Sequence, residues 1–513
     1  MNTLLLCICL SVVAGEKTVE VRAPQVTDKL VTPLHFAVNC EFYRPGVFAG
    51  TLPEDDPRSK AGAFAAALRA SGIRTLRLPG GDGVYYYLPE GRSQTMKLAH
   101  AVNFYEFRDE NPGAKYFVTL ANMAAFARKY DVKLIYQLPM LFHLDMGVPR
   151  AAIRSAFSKH AKNYDHDRID AQADYAVGIV RRLRELQAPV AAWELGNEEY
   201  GHCGGGDYGK VAAAIVERLR RQDTTTPIVA VGMGKEWLTE CVKELRRQDV
   251  LKKIDSFNAH YPFGTWPGPK NPAERTNPSA LVRGDVLFGR WFDAATKQRT
   301  ELGITTSSMA VTETMVFKFG APYWEAYNLI GTHAHALLYV WNWMTLLADP
   351  RCNIAVFHDL ETPFFGMLRY NVGYDESTRR FVWLDGAKQE QKLARFPGQY
   401  VLSPTCVANR MLSSLVGHRV GLATLIPEDS NLRILWGVDT SGRVTLVAVH
   451  RSADSKTVSF PGMAVENAEC LTAEDLGSVL PGSYKTTPLL PLEGRSDRLT
   501  LPPWSVTLVK IGI

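Results

Sequence analysis

Val190-Ala-Ala-Trp-Glu-Leu-Gly-Asn-Glu-Glu199 is the stretch that decides how this chain is read. Its first six residues form a short, mostly apolar run with the length of one buried strand. A glycine ends the run, and Asn197, Glu198 and Glu199 follow at once. Polar groups placed just past the C-terminal end of a buried strand mark the functional edge of a parallel sheet. Seven further runs of this kind occur, at residues 35–39, 73–79, 132–139, 228–231, 254–260, 309–312 and 337–341. Helix-period patterns lie between most of them, at 117–129, 172–186, 208–221, 237–247, 281–302 and 323–334. Eight strand–helix units of this size predict an α/β fold, a (β/α)8 TIM barrel. An open doubly wound sheet would show a glycine fingerprint after its first strand, and none follows Asn39.

The pattern changes after about residue 400. Short alternating runs at 432–438, 444–449, 457–460 and 505–511 are separated by turn residues such as Asp439-Thr-Ser-Gly442. They predict a C-terminal antiparallel β-sandwich. Residues 17–23 also alternate, and are expected to cross over and join that sheet. Residues 1–15 carry no Asp, Glu, Lys or Arg, and an apolar core at 4–13 is followed by Ala14 and Gly15. This reads as a secretory signal peptide, so the protein is expected to be exported to a periplasm, cell surface or medium. The expected organisation is therefore a signal peptide at 1–15, an N-terminal strand at 16–32, the barrel at 33–345, and a connecting segment with the sandwich at 346–513.

Composition narrows the function classes. The chain is 46% hydrophobic and 22% charged, which excludes a disordered, collagenous or coiled-coil protein. Its 58 basic and 53 acidic residues nearly balance, and no Lys/Arg block exceeds two, so nucleic acid is not an expected partner. The cysteines never form C-x-x-C, which argues against a zinc finger. No stretch after the leader has the roughly 18 uncharged apolar residues of a membrane span.

Chemistry is expected where polar residues interrupt the strand ends. The first run ends in Asn39-Cys-Glu41, the second in Arg77-Leu-Pro-Gly-Gly-Asp82 and the sixth in His260-Tyr261. The seventh ends in Thr312-Glu313 and the run taken as the eighth in Trp341-Asn-Trp343. Strands four and seven face each other across such a barrel, so Glu198 and Glu313 can approach. Two carboxyls about 5 Å apart are the apparatus of a retaining glycosidase, one a proton donor and the other a nucleophile. Asn197 would bond the sugar 2-hydroxyl, and Trp341, Trp343, Tyr85 and Tyr261 would stack on the sugar. Arg77, Asp82 and His260 are further candidates for binding the sugar; Arg77 reads equally as a partner for a barrel carboxylate, and a core histidine is the lesser reading of His260. No metal or organic cofactor is needed.

Trp-Glu-Leu-Gly-Asn-Glu at 193–198 resembles the acid/base motif of the clan A glycoside hydrolases, above all the family 51 α-L-arabinofuranosidases. Residues 76–82 are similar to that family's Arg-x-Pro-Gly-Gly-Asn motif, with Asp82 in the last place. Residues 36–42 look like its first barrel strand. Residues 399–400 and 501–509 resemble its C-terminal sandwich. The resemblance implies that Glu198 is the acid/base, that Glu313 is the nucleophile, and that Glu41, Asn197 and Tyr261 contact the sugar. Thr314 stands where the family usually has Trp, and residues 200–206 differ from the usual loop. The expected partner is an oligo- or polysaccharide. A β-glucuronidase or heparanase-like enzyme, a β-xylosidase, and an inactive carbohydrate-binding protein are the alternatives.

Other acidic and histidine residues receive structural readings. Glu199 reads as part of a solvated loop, Glu194 as facing the helix layer, and Glu301 as an exposed helix end. Glu361 lies too late in the chain for a nucleophile. His333 and His335 diverge at i,i+2 spacing on a helix and do not read as metal ligands. The glycine-rich residues 201–209 lack the Gly-Lys-Ser/Thr of a phosphate loop, and no G-x-S-x-G elbow occurs.

Overall fold

The computed structural model describes residues 18–42, 44–81, 84, 118–140, 166–201, 203–232, 234–261, 277–282, 288–304, 308–314, 329–361, 366–384, 392–492 and 496–512. After a first strand, β1 (Val19–Arg22), eight parallel strands close a ring. They are β2 (Ala37–Asn39), β3 (Thr75–Leu78), β4 (Lys133–Leu138), β5 (Val190–Leu195), β6 (Ile228–Val231), β7 (Ser256–Tyr261), β8 (Ser308–Thr314) and β9 (Cys352–Phe357). Each pairs in parallel with its neighbours, and β2 pairs with β9 to complete the barrel.

The period of two along each strand sorts the barrel residues into two layers. Ala37, Ile135, Ala192, Val229, Ala310, Ile354 and Val356 point inward and fill the lower half of the ring. Two residues further along, the inward positions turn polar: Asn39, Gln137 and Glu194 on their strands, and His358 just past β9. Outward residues such as Trp193 and Leu195 pack under the helices in the main core. The apolar plug thus sits below, and the polar layer opens at the C-terminal ends of the strands.

The expected eighth strand at 337–341 is a correction. Those residues lie within helix His333–Ala348, whose only positions that are not buried are Thr345 and Ala348. A short apolar run cannot distinguish a buried strand from a fully buried helix by periodicity. The ring closes instead through β9, so the barrel reaches Phe357 rather than ending at 345.

Three further sheets follow. β10 (Leu368–Asp375) pairs with β11 (Arg380–Trp383) and β12 (Ala394–Leu402). The remaining strands are β13 (Arg419–Leu422), β14 (Thr424–Ile426), β15 (Leu432–Val438), β16 (Val444–His450), β17 (Lys456–Ser459), β18 (Ala464–Ala473), β19 (Tyr484–Leu489), β20 (Arg498–Leu501) and β21 (Ser505–Gly512). A six-stranded antiparallel sheet has the order β13-β15-β16-β21-β18-β19, and a four-stranded sheet the order β14-β1-β17-β20. The N-terminal strand does cross over: Val19 pairs with Val458 and Glu20 with Ile426. One face of the larger sheet, with Trp436, Leu446 and Val509, packs on Val19, Val21 and Val458. Its other face, with Leu435, Val447 and Val506, belongs to the barrel core. No described helix is long and apolar enough to cross a membrane.

Candidate active site

The site is organised around Arg77 on β3, which is fully buried. All five of its N–H donors find acceptors on other strands or in the turn after β5, the geometry for which a guanidinium fork is suited. Nε donates to Glu194 Oε2 at 2.6 Å and Nη2 to Glu194 Oε1 at 3.2 Å. Nη1 donates to Asn39 Oδ1 at 2.9 Å and to Glu313 Oε1 at 2.7 Å. Nη2 also donates to Asn197 Oδ1 at 2.8 Å. Glu194 takes a further bond from Asn258 Nδ2 at 2.7 Å. Glu194 therefore points into the barrel and not, as expected, into the helix layer. A buried Arg on β3 and a buried Glu on β5 hold the ring's polar layer together.

The turn after β5 presents Glu198. Gly196 has φ +86°, a conformation that a side chain resists. A Cβ there would also lie 2.0 Å from Glu199 Oε1. Glu199 is fully buried and accepts the Asn197 backbone N–H at 2.9 Å. It braces the turn rather than forming a solvated loop. The Glu198 side chain keeps a third of its surface exposed, and its Oε1 accepts from Tyr200 Oη at 2.7 Å and meets His260 Nδ1 at 2.8 Å.

Glu313 reaches the same place through an irregularity in β8. Ala259 pairs with Val311 and His260 with Glu313, so Thr312 is an extra residue opposite β7. Ala310 already points inward. Strict alternation would turn Glu313 outward; the bulge restores it to the interior, as bulges beside functional sites do. Its side chain is only 5% exposed.

One carboxylate oxygen of Glu198 and one of Glu313 lie within 4.8 Å of each other and of a His260 ring nitrogen. Burial alone would push the Glu313 carboxyl up. The positive charges of His260 and then Arg77 lead the opposing effects and hold Glu313 below its ordinary range. Burial would lower His260, but the charge of Glu313 and the bond to Glu198 raise it above 6.5. Tyr200 is raised, first by burial and then by the charge of Glu198, so it stays a proton donor.

Two glutamates and a histidine at this spacing are also a donor set for a divalent cation. A metal-bound imidazole normally gives its second N–H to an acceptor. His260 Nε2 is buried with no partner among the described residues. The Arg77 guanidinium already occupies Glu313 Oε1. These residues fit a cluster that shares protons better than one that binds a metal.

The other expected residues divide. Glu41 sits just past β2, 8% exposed and ion-paired with Arg44. Gly80 runs against it, where a Cβ would meet Glu41 Cα at 2.9 Å. Tyr261 ends β7, but its side chain lies outside the described residues, as do Asp82 and Tyr85. Trp341 and Trp343 are corrections. Both sit on helix His333–Ala348, not on a strand end. Trp343 Nε1 donates to the His35 carbonyl at 2.8 Å, ahead of β2 at the opposite mouth of the barrel. Trp341 packs under Arg433 and Arg451, which belong to the sandwich. Glu361 accepts the Gly46 and Val47 N–H groups at 2.9 Å and caps helix Pro45–Thr51. His333 meets the Trp504 carbonyl and His335 meets Thr405 Oγ1, so neither is a ligand pair with the other.

Sequence reading did not single out Gln137 or His358. Gln137 accepts the Gly80 N–H at 2.8 Å and donates to Asn197 Oδ1 at 3.2 Å. Its signal was a lone amide inside an apolar run. His358 follows β9, a strand that the sequence pattern placed elsewhere.

No protein-family model and no curated protein matches the chain. Solved structures do share its fold. The family 51 arabinofuranosidase from Xanthomonas axonopodis pv. citri superposes with TM-score 0.61 at 14% identity, over 96% of this chain and 99% of that one. A family 51 α-L-arabinofuranosidase from Bifidobacterium longum gives 0.62 at 15% identity, over 96% and 99%. The catalytic domain of the family 30 xylanase C from Talaromyces cellulolyticus gives 0.53 at 12% identity, over 97% and 100%. The likeness spans barrel and sandwich together.

Proposed function

We propose that the protein is a retaining glycoside hydrolase, with an α-L-arabinofuranoside as its first substrate candidate. The observation that carries this reading is the approach of Glu198 and Glu313 oxygens to within 4.8 Å. That approach is closer to the roughly 5 Å arrangement of a retaining enzyme than to the about 6.5–9.5 Å between carboxyls that holds a water in an inverting one. The fold likeness to the arabinofuranosidases and the xylanase supports the same class.

The environments assign the roles. Glu313 is buried, bonded through Oε1 to Arg77 and held ionised, and its Oε2 attacks the anomeric carbon. Glu198 is open to solvent, so it exchanges its proton and meets both the leaving oxygen and the incoming water. It protonates the leaving group, and a glycosyl ester forms on Glu313. Glu198 then takes a proton from water, which displaces Glu313 with net retention. Asn197 is fixed by Arg77 and Gln137 and offers its amide to the 2-hydroxyl.

Among the described residues, a neutral sugar is better matched than a uronic acid. Arg77 spends every donor on protein acceptors, and Arg44 is paired with Glu41 and Asp359. A substrate carboxylate placed against the described residues would face Glu41, Glu198 and Glu313.

A panel of 4-nitrophenyl glycosides tests the reading, with arabinofuranoside, xyloside and glucuronide arms. Turnover of the arabinofuranoside is expected, and it should fall by about 1,000-fold or more in Glu313→Gln, while sugar binding persists. Equal inactivity of wild type and variant on every arm would favour a carbohydrate-binding protein.

A further inference from the structure

Two histidines flank one oxygen of Glu313. His260 brings Nδ1 to 3.6 Å of Oε2, and His358 brings its own Nδ1 to 3.9 Å. Their neighbours give the two Nδ1 atoms opposite polarity. A guanidinium can only donate. Arg77 Nη1, 2.9 Å from Asn39 Oδ1, therefore fixes that oxygen as an acceptor. The other end of the same amide, Nδ2, must donate, and it lies 3.0 Å from His358 Nδ1. That nitrogen presents a lone pair, so the proton of the ring is on Nε2. His260 Nδ1 instead faces a carboxylate oxygen of Glu198 at 2.8 Å, so it carries a proton.

Four charged groups face His358, from three elements. Glu313 approaches from β8, Arg77 from β3, and Glu41 and Arg44 from the segment after β2. Burial lowers His358, the two carboxylates raise it and the two guanidiniums lower it, with a net fall below 6.5.

We propose that Asn39 is a positioning residue that locks His358 as a neutral, Nε2-protonated imidazole, leaving His260 as the one titratable cation at the nucleophile. Glu313 then faces one fixed charge, Arg77, and one mobile proton. A second imidazolium 3.9 Å from Oε2 would draw electron density from the attacking oxygen. The kinetic consequence rests on the glycosidase reading; the proton assignment does not.

Long-range ¹H–¹⁵N spectra of the histidine-labelled full chain test it, with His358 identified by the signals lost in His358→Gln. The expected result is an unprotonated Nδ1 and a protonated Nε2 from pH 6 to 8. In Asn39→Asp the new carboxylate accepts from Nδ1, so both His358 nitrogens should be protonated near pH 7. The acid limb of kcat/KM should move up by about one pH unit or more, and the move should vanish in Asn39→Asp/His358→Gln. A wild-type His358 protonated on Nδ1 at pH 7 would overturn the proposal, as would an acid-limb shift that survives in the double variant. The wild-type spectrum decides the proton assignment even if Asn39→Asp does not fold. It decides it equally if no glycoside is cleaved, a result that would count against the glycosidase reading alone.

Discussion

Arg77 is the residue on which the site's electrostatics turn. It neutralises Glu194 and Glu313 at once and orients Asn39 and Asn197. Arg77→Met leaves two buried carboxylates without their counter-charge, so a loss of about 3–5 kcal/mol in urea unfolding is expected. The Glu313 carboxyl should also rise, moving the acid limb of kcat/KM to higher pH. An acid limb that stays in place would remove Arg77 from the account of the nucleophile. Stability should follow the same charges. Glu313 is depressed below 4.5, so its contribution is present above pH 4.5 and lost as pH falls through the lower folded value. His260 is raised above 6.5, so its contribution is present below pH 6.5 and lost as pH rises through the higher folded value. Denaturation midpoints should therefore plateau between pH 4.5 and 6.5, and His260→Asn should flatten the alkaline fall.

At the scale of elements, two local distortions aim the carboxylates: the turn at Gly196 and the bulge at Thr312. Gly196→Ala forces a side chain into the left-handed region and against Glu199, a cost of about 1–3 kcal/mol. A lower Tm together with a reduced kcat is expected, since the same turn carries Asn197 and Glu198. The turn was legible in sequence because a glycine separates the apolar run from the acidic pair. The bulge was not. Residues 309–314 read equally well as a regular strand, and only the pairing of His260 with Glu313 shows the extra residue. Glu194 was misread for a related reason. Alternation says which residues share a face, but an Arg on β3 is needed to make the inner face hospitable to a carboxylate. Local sequence carries no sign of that partner 117 positions away.

Across the whole molecule, the barrel and sandwich share a core. Helix His333–Ala348 is buried on nearly every side, and Trp341 lies 4.0 Å from the Arg433 guanidinium and 3.4 Å from that of Arg451. This shared burial is why the last barrel strand was misplaced: a helix covered by a second domain loses the polar face that normally identifies it. The crossover of the first strand, by contrast, was legible from its alternation alone. Trp341→Ala should cost about 3–5 kcal/mol and still unfold in a single transition, because neither layer keeps its core without the other. A chain ending at residue 360 should lack near-ultraviolet dichroism for the same reason. The central claim concerns chemistry on Glu313, and a covalent label reads it directly. After incubation with an activated 2-deoxy-2-fluoro analogue of the cleaved glycoside, peptide mass mapping should find one glycosyl ester on Glu313. A label on another residue, or a first-formed product of inverted configuration, would contradict the account.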